Sequence, residues 1–324
     1  MISRRQLTRS WDDVDPWWNA HTSSSRVVGT SFIDREVSPE WLTDCWSELE
    51  PWWTEYIEIG YETAVELWKL LERSNERWAN AAGPFDTDPL ATDLTGTRHS
   101  RGPLEPSDEV AWSRWLARIL RPSRALVSEL FDLRVTAPPS EVIREERLSK
   151  EAGGFRRPDI LICHAERGVS IEVKLGDEHY GKTAETGMLV ERHYDDREWV
   201  HSILLPKRKL GRLETIVDLP LESTVEGQRY LQCHEPGPIR VLSWQDVTAA
   251  IRSVLRRGEF VDDHWAANAY LFCAVAEQRI ANFQPQPTVR RLADPASVVD
   301  TIVPINVADS LEEQLLYFHE RADA

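Results

Sequence analysis

The chain has 324 residues, 41% of them apolar, and a formal charge of −16 from 38 Lys and Arg against 54 Asp and Glu. That length and apolar content can fill one large core or two smaller ones, while no apolar run reaches the roughly 18 residues that a membrane helix needs. The four cysteines, at 45, 163, 233 and 273, form no Cys-x-x-Cys pair, so neither a zinc ribbon nor a disulfide framework is expected, and reduced thiols in a cytoplasmic protein fit better.

In chain order, residues 1–36 are polar, with Trp11, Trp17 and Trp18 set among acidic residues, and read as a loosely structured arm without a signal peptide. Ser38-Pro39-Glu40 opens a helix and Pro51 the next, which stops before Gly83-Pro84. Ile57, Tyr61, Ala64, Trp68, Leu71, Asn75 and Trp78 step by four and three along that helix. This seam suits either a homodimer or partner interface, or packing on the helix's own domain. Residues 83–106 are broken by Gly-Pro, Asp-Pro and Glu-Pro pairs and read as a linker. The division expected is therefore an acidic, Trp-rich helical region over 1–100, a core over 101–283, and a Pro-rich tail over 284–324.

Within the core, Ser107 to Leu120 reads as a helix, and a second helical run follows Pro122. Val142 to Leu148 reads as the first strand. Gly153-Gly154 turns into Phe155 and the strand Ile160-Leu161-Ile162-Cys163. Glu166-Arg167-Gly168 reads as a turn with Gly168 free to take a positive φ, and Val169 to Leu175 as the partner strand. A charged helix over 178–199, a strand Val200–Leu205, an irregular loop over 206–238, a strand Pro238–Leu242 and two helices, to Gly258 and from Asp262 to Phe283, complete the core. This order implies an α/β fold with a mixed central sheet flanked by helices.

The chemistry-bearing residues lie on the two central strands. Ile171, Val173 and Leu175 point one way and Glu172 and Lys174 the other. If the strands pair, Asp159 and Glu172 converge at one end of the hairpin with Lys174 beside them. Two carboxylates offer hard oxygen ligands to Mg²⁺ or Mn²⁺. A lysine can orient a water or offset charge growing on a phosphate. Glu145 or Glu146 is either a further ligand or a salt-bridged strand residue. The adjacent pairs Cys163-His164 and Cys233-His234 suit zinc poorly, because neighbours on a strand face opposite sides.

Pro158-Asp159 followed by Glu172-Val173-Lys174 resembles the signature of the PD-(D/E)xK nuclease superfamily, the restriction-endonuclease-like fold, over residues 105–283. The resemblance implies that Asp159, Glu172 and the Val173 carbonyl bind one or two divalent metals and that Lys174 serves the attacking water. It also implies that Glu109, on the preceding helix, is an accessory ligand. The sequence departs from the Gln-x-x-x-Tyr motif of many relatives: Val190 stands four residues before Tyr194, with Glu185 and Glu191 the nearest polar residues. The activity implied is a metal-dependent DNA endonuclease, with defence against foreign DNA as a possible setting.

The acidic net charge opposes phosphate binding, but the flanks carry nearly all of it and the core is close to neutral. Arg144, Arg147, Lys150, Arg156 and Arg157 lie just ahead of Asp159 and are the expected nucleic-acid contacts; Lys207 to Arg212 reads equally well as solvated surface. The alternative reading is a catalytically silent nucleic-acid-binding or assembly protein on the same fold. A serine or cysteine hydrolase is disfavoured, because no Gly-x-Ser-x-Gly elbow is present.

Overall fold

A computed structural model describes residues 60–94, 105–151, 153–176, 182–217, 219–224, 227–294 and 305–322. The arm, the first helix and the start of the second, with Ile57 of the seam, lie outside these residues.

A helix over 60–79 (α1) is followed by a 3-10 turn at Pro89–Ala91. Next come α2 (Glu109–Leu120) and α3 (Arg124–Phe131). Strands β1 (Glu141–Arg144), β2 (Leu148–Ser149), β3 (Phe155–Arg156), β4 (Ile160–Cys163) and β5 (Arg167–Val173) lead to α4 (Lys182–His193) and β6 (Glu198–Leu205). Then come α5 (Leu210–Val217), β7 (Leu221–Ser223), β8 (Arg229–Leu231) and β9 (Ile239–Ser243). The helices α6 (Trp244–Arg256), α7 (Asp263–Arg279), α8 (Gln286–Leu292) and α9 (Ile305–Tyr317) end the chain.

Seven strands form one mixed sheet in the order β1-β4-β5-β6-β9-β8-β7. Pairing is parallel at β5–β6 and β6–β9 and antiparallel elsewhere. Alternation sorts the side chains by face. Ile160, Ile162, Val169, Ile171, Val173, Leu204 and Leu242 pack under Trp112 and Leu116 of α2, Leu130 of α3, Val247 and Ile251 of α6 and Phe272 of α7. On the other face, Leu161, Cys163 and Trp199 meet Leu189 and Val190 of α4, and Ile203, Leu205 and Val241 meet Leu213 of α5. The expected α/β class with a mixed, helix-covered sheet is therefore present. The helices start where sequence chemistry puts them: Asp108 accepts from the Ala111 amide, and Ser243 with Asp246 forms a complete capping box on α6.

Four expectations are corrected. Residues 206–238 are not an irregular loop. Leu210, Leu213 and Val217 put an apolar stripe of α5 on the sheet, and β7–β8 extends its edge; strands this short and polar carry almost no periodic signal. Gly168 is not a turn residue. It lies within β5 opposite Cys163, and a Cβ there would stand 2.6 Å from the Trp199 ring, so close packing requires the glycine. The strand expected over 142–148 is split, because Glu145 adopts φ 53 and breaks β1 from β2. Finally, the boundary near residue 100 is displaced: one compact unit spans Ile57–Ala324.

The reason for that displacement is a buried ion cluster. Arg252, 0% exposed, donates to both oxygens of Glu277 at 2.7 Å and to Asp88 at 2.5 and 2.8 Å. Ser74 of α1 also donates to Asp88, and Tyr317 donates to Glu277 at 2.9 Å. The cluster thus ties α1 and the 83–94 segment to α6, α7 and the end of α9. Burial opposes every charge in it, yet Arg252 holds Asp88 below the ordinary carboxylate range, and the two carboxylates hold Arg252 well above its own. Around it Ala64, Leu67, Leu70 and Leu71 pack on Leu292, Leu311, Leu315 and Phe318. The α1 seam is thereby covered inside its own unit.

Arg252→Met leaves two buried carboxylates without their counter-charge, so urea unfolding should show a loss of about 3–5 kcal/mol. A loss below about 1 kcal/mol would mean that the cluster does not tie these segments together.

Candidate active site

The β4–β5 register pairs Ile160 with Ile171 and Leu161 with Ser170. One further step sets Asp159 against Glu172, on the sheet face that α4 covers. Pro158 ends the regular ladder. Its carbonyl accepts from the Glu145 amide at 3.1 Å, and the Asp159 carboxylate accepts from the Val173 amide at 2.7 Å. The aspartate is thus clamped to the peptide segment whose Val173 carbonyl was expected as a ligand. Lys174 continues β5, its amide bonded to the Leu204 carbonyl at 2.8 Å, and its ammonium lies 3.0 Å from Glu172 Oε1. Glu109, in the first turn of α2, reaches across the strand end and accepts from the amides of Leu175 and Gly176 at 2.7 and 3.0 Å. All four expected catalytic residues gather at the end of β5.

The charges do not balance. Burial, then the neighbouring Glu172 charge, push the Asp159 carboxyl up to about 7, against the Val173 hydrogen bond and Lys174. Burial also raises Glu172, only partly countered by Lys174, and its Oε2 is buried without a hydrogen-bond partner. Burial works against the Lys174 ammonium, but Glu172, Glu109 and Asp159 outweigh it and hold its pKa above the ordinary lysine value. A site of this kind is short of positive charge.

This arrangement fits Mg²⁺ or Mn²⁺: Asp159 and the orphaned Glu172 oxygen provide hard donors, with the Val173 carbonyl as a third. Among the described residues no group of three or more His, Cys, Asp or Glu side chains could hold a metal ion. The protein would supply two carboxylates and leave the other positions to water and substrate, as is usual for Mg²⁺.

The basic residues ahead of Asp159 divide. Arg144 is turned inward, donating to the Val110 carbonyl, Ser113 and Glu145, so Glu145 is an ion-paired residue beside β1. Lys150 and Arg156 both pair with Glu185 of α4, which fastens the β2–β3 hairpin to the helix. Arg147 and Arg157 remain exposed, their guanidinium carbons 4.0 and 5.4 Å from the ring centre of the exposed Phe155. The sequence grouped these five by proximity and missed both the Glu185 partner, which belongs to a later helix, and Phe155 as the ring that Arg147 and Arg157 share. Glu191 meets His201 at 3.3 Å, and Tyr194 lies against Trp199, so neither stands among the gathered acids.

Comparison with known proteins adds no relative: no family model matches the chain, and neither a curated protein nor a solved structure matches it.

The raised Asp159 pKa has a stability consequence in EDTA. Between the unfolded carboxyl value near 4 and the folded value of about 7 only the folded state holds the proton, so stability falls as pH rises through this window. Asp159→Asn should therefore be more stable than the wild type by roughly 1–3 kcal/mol at pH 8, with little difference at pH 4. Thermal melts across pH would expose the opposite trend if Asp159 is ionised without cost.

Proposed function

We propose that this protein is a nuclease that hydrolyses phosphodiester bonds with Mg²⁺ or Mn²⁺, on a restriction-endonuclease-like fold. The observation that carries the reading is the juxtaposition at the end of β5. Asp159 and Glu172 stand together, one oxygen of Glu172 buried and unpartnered, with the Lys174 ammonium 3.0 Å from the other. Asp159, Glu172 and the Val173 carbonyl would hold a divalent ion, which would supply charge against a phosphate and make a water more acidic.

The chain's own groups do the rest. Val173 holds Asp159 in one orientation through its amide. Lys174, steadied by Glu172, is placed to orient the attacking water and to offset charge developing on the phosphoryl oxygens. Glu109 fixes the Leu175–Gly176 backbone and adds a third negative charge at the rim. Arg147 and Arg157 are the exposed cations left to meet a nucleic-acid backbone, since Lys150 and Arg156 are held by Glu185. DNA is the favoured substrate and endonucleolytic cleavage the favoured mode, both by family resemblance; defence against foreign DNA is the setting that fits them.

A catalytically silent nucleic-acid-binding or assembly protein is the second reading. It is favoured by the same salt bridges, which leave few free cations beside the site on a chain of charge −16.

Supercoiled plasmid with Mg²⁺ or Mn²⁺ separates the two. The wild type should nick or linearise it, and Asp159→Ala and Lys174→Ala should each lower the rate by roughly a hundredfold or more. Equal cutting by all three proteins would place the activity elsewhere. No cutting by any, with intact binding, would favour the silent protein.

A further inference from the structure

A cavity of about 700 Å³ lies between strands β8 and β9, α3, α6 and the segment after α9. It is on the other side of the sheet from Asp159. Leu242 of β9 packs under α2, α3, α6 and α7, whereas Ile239 and Val241 pack with α5, so Arg240 faces the same way as Leu242. Glu172 alternates with Ile171 and Val173 and faces the opposite way.

Four arginines line this cavity, and their partners are unevenly shared. Arg257 pairs with Glu129 and Glu259, each at 3.0 Å. Arg229 and Arg321 take one oxygen each of Asp246, whose Oδ2 also accepts from the Ser243 amide and hydroxyl. Arg240 is left over. It is 9% exposed and its guanidinium forms no hydrogen bond or ion pair among the described residues; burial pushes its pKa down, while Tyr230, Asp246 and Asp132 oppose this only through their charge. Arg229 Nε, on the neighbouring strand, is also buried without a partner.

A guanidinium is all donors and no acceptor, and burying one unpaired is costly. Its planar fork matches a phosphate two-point contact. The remaining lining includes Leu130, Leu242 and Ala250, which suits an uncharged organic portion, and the volume is that of a small-ligand pocket. Glu129 and Glu320 on the wall oppose a long polyanion and favour a compact ligand.

We propose that this cavity binds a phosphate-bearing small molecule, with Arg240 gripping its phosphate oxygens. The site stands whether or not the Asp159 cluster is catalytic.

Calorimetric titration of the full chain with inorganic phosphate, with AMP and with a short single-stranded oligonucleotide tests it. Saturable one-to-one binding of phosphate or AMP is expected, weakened about tenfold or more by Arg240→Met and unchanged by Asp159→Ala. Tighter binding of AMP than phosphate would identify a nucleotide, and equal binding phosphate itself; either supports the site. Without ligand, Arg240→Met should melt no lower than the wild type, since it removes an unpaired buried charge. Should that variant not fold, Arg240→Lys, which keeps the charge and loses the fork, must show the same weakening. Absence of heat with both phosphate and AMP, binding indifferent to Arg240, or Arg240-dependent binding of the oligonucleotide alone would overturn the proposal.

Discussion

The register of β4 on β5 is the constraint on which the candidate site depends. Ile160 opposite Ile171 puts both residues into the core beneath α2, α3, α6 and α7, and a slip of one residue would turn that whole set to the other face. The register is thus held by apolar burial on both sides of a strand in the middle of the sheet. Asp159 and Glu172 inherit it without contributing to it. Because Pro158 stops the ladder one residue before Asp159, the carboxylate takes the Val173 amide instead, and the position of an acidic side chain becomes part of the backbone hydrogen bonding. Sites built on a rigid strand in this way hold their groups more exactly than sites carried on loops.

Among the described residues, three buried charge clusters differ in how their charges are met, and the contrast between them carries the functional argument. At Arg252 the guanidinium is saturated by Asp88 and Glu277, and Ser74 and Tyr317 add further donors. That is a structural tie, with nothing left for a ligand. At Asp159 and Glu172 two carboxylates face one lysine and a carboxylate oxygen goes unpartnered. At Arg240 the imbalance has the opposite sign. Perturbed groups with unmet partners concentrate where proteins bind something, and these two carry opposite imbalances: an excess of carboxylate on one face of the sheet and an unpaired guanidinium on the other.

The helices beyond the sheet have a second consequence. The α1 seam packs on its own domain rather than on a partner: its apolar positions meet Leu292, Leu311, Leu315 and Phe318 from the far end of the chain. The ends of α1 and α6 meet closely: the Ala82 amide bonds to the Arg256 carbonyl at 3.0 Å, and a Cβ on Gly83 would stand 2.5 Å from the Leu255 carbonyl oxygen. Segments far apart in sequence thus complete one core, and the Pro-rich stretch over 83–94 is packed into it rather than linking two bodies.

The sequence by itself determined the local facts. A continuous apolar run marked β4, and period-two alternation marked β5 and the face that carries Glu172 and Lys174, because burial of Ile171 and Val173 forces the alternate residues the other way. Apolar spacing over Ser107 to Leu120 marked α2, and the family resemblance singled out Glu109 on it. What only the tertiary structure decided depends on partners remote in the chain. Glu185 claims Lys150 and Arg156, leaving Arg147 and Arg157 as the exposed pair. Trp199 requires the glycine at 168, which read as a turn when its neighbour on β6 was unknown. Arg240 is an unremarkable strand residue until Asp246 is seen to be taken by Arg229 and Arg321. Periodicity reports which side of an element is buried, whereas the partner of a buried charge is set by long-range packing and leaves no local pattern in the sequence.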